Sequence, residues 1–260
     1  MKIILSLALW CCLNLNLSYA KEISVASDIW CPYICQDTLK PGYIVEMLSD
    51  ILNKNNFTIK NETMPLARAI KFLKSGDIDI VLGLTQQHID HHKLTYSNIS
   101  VGDFANDFFV NNNNSWRFST VEKLEEYATE GHKIGIIKGY LYGLEISKLI
   151  AKRPELFSYS YGNSPLYQNI ERLKSARIDI LLDSKNTVFS ELKRLKTSAL
   201  IYAGTQGTKE KLYIAISKTI DPQLLQIIEQ GIIEYRRSGE LVRLLASYGI
   251  SDWQEEPSSQ

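Results

Sequence analysis

The sequence predicts an α/β protein of two similarly built lobes, and three observations carry that expectation. Leu73-Lys74-Ser75-Gly76-Asp77-Ile78-Asp79-Ile80-Val81-Leu82 recurs one hundred residues later as Leu173-Lys174-Ser175-Ala176-Arg177-Ile178-Asp179-Ile180-Leu181-Leu182. Each copy reads as a helix end, a polar corner and a short apolar β-branched run, with Ile70 and Leu73, and again Ile170 and Leu173, three apart on one helix face. Strand-like and helix-like segments alternate along the chain, the pattern of a mostly parallel sheet in each lobe. About 240 residues follow an N-terminal leader, enough for one large domain or two of ordinary size. A solenoid needs at least three closely spaced copies, and only two occur. Two similar lobes leave a cleft between them, the natural place for a ligand.

The leader is residues 1–20: Lys2 supplies one positive charge, Ile3 to Leu13 an apolar stretch, and Ser18-Tyr19-Ala20 precedes Lys21. This is the pattern of a secretory signal peptide. The apolar stretch is too short to span a bilayer and nothing later approaches eighteen consecutive apolar residues, so the mature protein is expected to be exported and soluble, with no membrane insertion. Trp10 stands before Cys11, where a lipid anchor on Cys11 or Cys12 requires a small residue. Cleavage after Ala20 leaves Cys31 and Cys35 as the only thiols in an oxidising compartment, and a disulfide between them is expected. Structural zinc normally takes four ligands, more than two cysteines offer. The bridge closes a tiny loop around Pro32 and Tyr33, so it shapes local backbone more than global stability. Basic and acidic residues balance at 29 each, and loss of Lys2 leaves 28 against 29, scattered rather than blocked. That excludes an electrostatic footprint for nucleic acid and an amphipathic basic helix for a membrane surface.

The elements follow in order. Glu22 to Ala26 alternates as a first strand, Ile44 to Leu52 carries apolar residues at helical spacing, and Phe57 to Met64 reads as a second strand. Pro65 opens the helix that enters the first repeated corner. Asp103 to Val110 is a further strand, and Asn111-Asn112-Asn113-Asn114-Ser115 is loop material near which the chain is expected to cross between lobes. Ser119-Thr120-Val121-Glu122 fits a capping box for a helix to about Ala128. Lys133 to Ile137 is a strand, Tyr142 to Ala151 a helix, and Phe157 to Tyr161 a strand. Ser164-Pro165 caps the helix leading to the second corner. After Leu200 to Ala203, Gly204-Thr205-Gln206-Gly207-Thr208 reads as a loop and Leu212 to Ser217 as a strand. Asp221-Pro222 caps a long amphipathic helix, Gly239 separates it from a short one around Leu241 to Leu245, and the polar tail from Gln254 is expected to fray.

Several segments could carry chemistry. Ser27-Asp28-Ile29-Trp30-Cys31-Pro32-Tyr33 follows the first strand directly, and loops at strand carboxyl ends are where open α/β sheets bind ligands. Trp30 and Tyr33 there make a stacking wall, or else pack beneath the loop. His88, His91 and His92 lie within five residues, which permits a metal site. A charged, solvated turn explains the same residues without one. His132 stands alone before a strand and reads as structural. Lys138-Gly139-Tyr140 opens a helix whose free amides could meet an anionic group, or Gly139 simply makes the turn and Tyr140 covers it. Asp79 and Asp179 read as turn and strand-entry residues, because duplicated positions would meet different parts of a ligand.

Asp28 to Gly42, the corner Gly76 to Gly83, Tyr96-Ser97, the Ile136-Ile137-Lys138-Gly139 turn, Tyr213 to Ser217, Ser238-Gly239-Glu240-Leu241 and Tyr248-Gly249-Ile250 occur together and in order. So arranged, the chain resembles a bacterial periplasmic solute-binding protein of the polar amino-acid type, family 3, over nearly its whole mature length. The resemblance implies a two-lobed periplasmic-binding-protein-like fold with two interlobe crossings and a central ligand cleft. Lobe one would be 21–115 plus 200–260, and lobe two 116–199. It implies a monomeric periplasmic protein that closes on a small polar solute, an amino acid or amine-like, and presents it to the membrane permease of an ABC-type importer. No catalysis and no cofactor are implied. Relatives of this fold also include periplasmic cyclohexadienyl dehydratases and sensor subunits, which stand as alternatives.

Members that hold an α-amino acid fork its carboxylate with a lobe-one arginine and hold its ammonium with a lobe-two acid. Here that arginine is absent: the place falls on Asp90 counted back from Tyr96-Ser97, or on His91 counted forward from Asp79. Arg68 could substitute, or be a solvated helix residue. Asp183 is expected to take the ammonium, with Ser184 as the alternative at that place. Where the two corners diverge, Gly83-Leu84-Thr85 against Asp183-Ser184-Lys185, Leu84, Thr85, Asp183 and Ser184 are the expected specificity positions.

Overall fold

The repeated corner builds the same structure twice. In a computed structural model, which describes residues 21–253 except Asn163, the chain opens with β1 (Lys21–Ser27), α1 (Tyr43–Asn53), β2 (Phe57–Thr63), α2 (Leu66–Ser75) and β3 (Ile80–Thr85). The same order returns as β6 (Ile134–Ile137), α5 (Gly143–Lys152), β7 (Phe157–Ser160), α6 (Pro165–Lys174) and β8 (Ile180–Asp183). Between them run α3 (Gln86–His92), β4 (Thr95–Tyr96), β5 (Gly102–Asn111) and α4 (Val121–Thr129); after them come α7 (Lys185–Arg194), β9 (Leu200–Ile216), α8 (Pro222–Arg237) and α9 (Glu240–Ser247). The expected leader with Cys11 and Cys12, and the polar tail, lie outside the described residues. No helix among the described residues is long and apolar enough to cross a membrane.

Each corner is pinned by its aspartate. Asp79 Oδ2 accepts from the Ser24 amide at 2.8 Å and the Ser24 hydroxyl at 2.7 Å, while its own amide donates to Ser24 O. Asp179 Oδ2 accepts from the Lys133 amide at 2.8 Å, and its amide donates to Lys133 O. Each aspartate thus fastens its lobe's central strand, β1 at its middle or β6 at its start, beside β3 or β8. His132 stacks on Tyr127 with centroids 3.9 Å apart and lies 3.2 Å from Asp179, a structural position.

The strands order as β2-β1-β3-β9-β5-β8-β6-β7, parallel within each outer trio and antiparallel at β9 and β5. The two sheets expected from sequence are therefore one, joined by a shared ribbon. Two helical layers cover each half: α1, α8 and α9 on one face of the first and α2 with α3 on the other, α4 with α5 and α6 with α7 on the second. Phe108, Phe109, Val110, Leu200 and Ala203, expected in the first lobe, pack in the cores of the second. Asn111 to Ser115 is a turn at the far end of β5, with the Asn112 amide bonded to Ala199 O.

Three local readings change. Gly204 to Thr208 is not a loop: β9 continues through it, with Gly204 at φ 125° and Gly207 at φ 83° absorbing the register shifts opposite β5. Thr120 rather than Ser119 caps α4, accepting from the Lys123 amide at 3.3 Å. The segment 86–92 is a helix rather than a solvated turn, because Thr85 and His88 cap it reciprocally.

Candidate ligand-binding cleft

Strand β1 ends at Ser27 and delivers Asp28 to the cleft, and the following loop is held by short-range bonds. Trp30 and Ile34 exchange backbone hydrogen bonds at 2.8 and 3.0 Å, and the expected Cys31–Cys35 disulfide closes the same turn. Gly42 at φ 99° ends the loop, and a Cβ there would lie 2.5 Å from Tyr33 O, so only glycine fits. Trp30 stacks on Tyr33 with centroids 4.5 Å apart and meets the edge of Phe104 at 5.1 Å. Trp30 lines the cleft, whereas Tyr33 is 1% exposed and lies beneath it. The Tyr33 hydroxyl donates to Asp103 O at 3.0 Å and accepts from Asn186 Nδ2 of the second lobe at 3.2 Å.

Two carboxyl groups, one from each lobe, line the cleft. Asp28 accepts from the Ile29 amide at 2.8 Å, and the Leu66 amide and Tyr140 hydroxyl also stabilise its charge, yet burial outweighs them and raises its pKa. Asp183, the last residue of β8, accepts from the Ser184 amide through Oδ1 at 2.7 Å. Its Oδ2 is buried without a hydrogen-bond partner, and Trp30 Nε1, equally unpartnered, faces the same carboxyl. Burial above all, with Asp107 nearby, pushes the Asp183 pKa up to about 7.

An inner cavity of about 50 Å³ joins these groups: Asp28, Trp30, Thr85 and His88 line it from the first lobe, Tyr140, Asp183 and Ser184 from the second. An outer cleft of about 790 Å³ shares Trp30, Tyr140 and Asp183 with it and carries Lys40, Lys193 and Arg194 among its lining residues. No lysine or arginine among the described residues lines the inner cavity.

The sequence expectations divide accordingly. Trp30, Thr85, Tyr140, Asp183 and Ser184 converge on the inner cavity; Leu84 is buried in the first-lobe core. Arg68 is exposed on α2 and lines neither space, as do the exposed Lys138 and Gly139. The helix expected from Tyr142 runs Gly143–Lys152, so Lys138-Gly139-Tyr140 does not open it, and the Lys138 and Tyr140 amides are already spent on Ser160 O and Ile137 O. For the histidines, His88 is buried, while exposed His91 packs edge-on against His92. Among the described residues no group of three or more His, Cys, Asp or Glu is arranged to hold a metal ion. Sequence reasoning missed Asp28 and the cleft position of His88. Asp28 was signalled by its place just past the first strand.

Residues 23–251 match the family model described as bacterial extracellular solute-binding proteins, family 3. The chain is 23% identical over 216 residues to a probable histidine-binding protein of Campylobacter jejuni subsp. jejuni, covering 83% of this chain and 79% of that one. Its fold is similar to an ancestral arginine-binding protein bound to arginine, with TM-score 0.73 and 18% identity over 88% of this chain and 99% of that one. It is also similar to a histidine kinase sensor domain resembling periplasmic binding proteins, with TM-score 0.73 and 15% identity over 90% and 99% of the two chains.

Proposed function

Since this chain belongs to the bacterial extracellular solute-binding proteins of family 3, we propose that it captures a small amine-bearing solute in the periplasm and delivers it to the permease of an ABC-type importer. The observation that carries the amine is Asp183: a carboxyl buried in the cleft with Oδ2 unpartnered, Asp28 lining the same cavity, and no lysine or arginine among the described residues lining it. A buried carboxylate needs a cation, and no lysine or arginine of the described residues lines that cavity, so the solute supplies it. Trp30 and Tyr140 give the body of that solute aromatic walls. Capture is closure of the lobes about the β5–β9 ribbon. A relative named as a histidine-binding protein and a structural neighbour bound to arginine both support a solute carrying an amine.

A thermal-shift screen followed by calorimetry against primary amines, polyamines, amino acids, small dicarboxylates and divalent metals tests this, because whatever binds only the folded state stabilises it. Amine-bearing solutes are expected to raise the melting midpoint, and Asp183→Asn to abolish the shift. A response confined to dicarboxylates or metals would sink the reading. An Asp183 held near neutrality also suits proton transfer, the chemistry of a dehydratase. A cyclohexadienyl acid, however, would bring carboxylate into a cavity already lined by two acids. Consumption of prephenate would reverse that judgement.

A further inference from the structure

His88 sits where the inner cavity meets the first lobe, and its hydrogen bonds fix which ring nitrogen carries the proton. The Thr85 amide donates to His88 Nδ1 at 3.3 Å. The Thr85 hydroxyl accepts from the His88 amide at 3.3 Å and lies 2.8 Å from Nδ1, so its own proton goes to that nitrogen. Nδ1 is thus an acceptor twice over, and the neutral ring must carry its proton on Nε2. Protonating Nδ1 would break the bond from the Thr85 amide and force the hydroxyl contact to reverse. Burial, then the neighbouring His92 and His91, lower the pKa to about 4, so the ring is neutral at pH 7.

That leaves Nε2–H as a donor with nothing to donate to. The residue is 6% exposed, Nε2 is buried without a partner, and the ring belongs to the wall of the cavity that holds Asp28 and Asp183. An unsatisfied buried donor is costly, and a bound solute is what can satisfy it.

We propose that His88 is the solute's second polar contact, a neutral Nε2–H donor that selects small cationic amines carrying an uncharged oxygen acceptor, such as an amide, ester or hydroxyl, over zwitterionic amino acids. The proposal rests on the amine reading above and narrows it. A guanidinium at such a place would neutralise a carboxylate and bond it twice; a neutral imidazole offers one hydrogen bond and no charge. A solute carboxylate would then share the cavity with Asp28 and Asp183 uncompensated. An amide oxygen takes the single donor at no such cost.

The test is calorimetry on two matched series: ethylamine, glycinamide and glycine, and propylamine, β-alaninamide and β-alanine. In each the amide is expected to bind about 10-fold more tightly than the alkylamine, with the zwitterion weakest. His88→Leu should erase the preference for the amide over the matched alkylamine, and His88→Gln, which restores a donor, should recover part of it. Nitrogen-15 NMR of the wild-type ring at pH 7 supplies a readout that needs neither ligand nor variant: a protonated Nε2 and an acceptor Nδ1 are expected. Zwitterions binding as well as amides, a preference surviving in His88→Leu, or an imidazolium or Nδ1–H ring would each overturn the proposal while leaving solute capture intact. If none of the amines bound, the amine reading itself would fall, and this proposal with it.

Discussion

Asp183 departs furthest from the ordinary behaviour of its residue type, and its pH dependence follows from one cause. Desolvation raises its pKa from 3.8 to about 7. In the unfolded chain the group ionises near its ordinary value, so the stability it contributes is full below pH 3.8 and is lost as pH rises through 7. Without ligand, Asp183→Asn should therefore melt higher than wild type at pH 8, by an amount worth on the order of 4 kcal/mol, and converge with it near pH 4. A bound cation reverses the balance, because it needs the ionised carboxylate and must displace the proton below pH 7. Affinity for a primary amine should fall roughly 10-fold from pH 7.5 to pH 6. Calorimetry showing constant affinity across that interval would remove Asp183 from the ligand's cation. The family resemblance picked out this residue from the sequence. Its raised pKa was not legible there, because burial is set by the opposite lobe. Arg68, Lys138 and Gly139 misled for the same reason: their places in sequence neighbour the cleft, while their exposure is decided by how α2 and the β6–α5 turn lie.

The helix-to-strand corner shows what sequence periodicity can and cannot specify at the scale of elements. Two copies were legible because each needs the same residues: an apolar helix face, an aspartate to fasten the neighbouring strand, and a buried strand. The copies differ where the helix ends. Gly76 closes α2 at φ 83°, while the same place after α6 holds Ala176 at φ 54°. The left-handed region costs an L residue about 1–2 kcal/mol and glycine nothing. Ala176→Gly should thus raise stability by about 0.5–1 kcal/mol, the strain relieved less the added freedom of the unfolded chain. Gly76→Ala should lower it by about 1–2 kcal/mol, because a Cβ there also stands 3.0 Å from Thr219 Cγ2. Chemical denaturation of both variants measures the pair, and an Ala176→Gly protein less stable than wild type would refute the strain argument. Strand β9 was the element least legible. Gly204 and Gly207 punctuate it as they would a loop, and only pairing with β5, about a hundred residues away in sequence, keeps it extended.

At the scale of the whole molecule, closure depends on few bonds outside the ligand cavity. Asn186, at the start of α7, donates to the Tyr33 hydroxyl across the cleft, and Tyr33 is anchored in turn on Asp103 O. Neither Asn186 nor Tyr33 lines the inner cavity. Removing this contact should therefore leave the chemistry of recognition alone and shift only the balance between open and closed forms. A hydrogen bond of this kind is worth about 0.5–1.5 kcal/mol net, so Asn186→Ala should weaken affinity for any captured amine by roughly 2- to 10-fold. The loss should fall on the dissociation rate, because the bond forms only once the lobes have met. Small-angle scattering of the empty variant should show a larger radius of gyration than wild type, and saturating ligand should bring the two together. The alternative is that the contact merely accompanies a closure set by the ribbon of β5 and β9. In that case affinity, dissociation rate and scattering would all match wild type, and Asn186→Ala would lower only the melting midpoint. Selectivity between amines separates this residue from Asp183 and His88: altering the cleft wall should change which solute is preferred, whereas altering the latch should weaken every solute by the same factor.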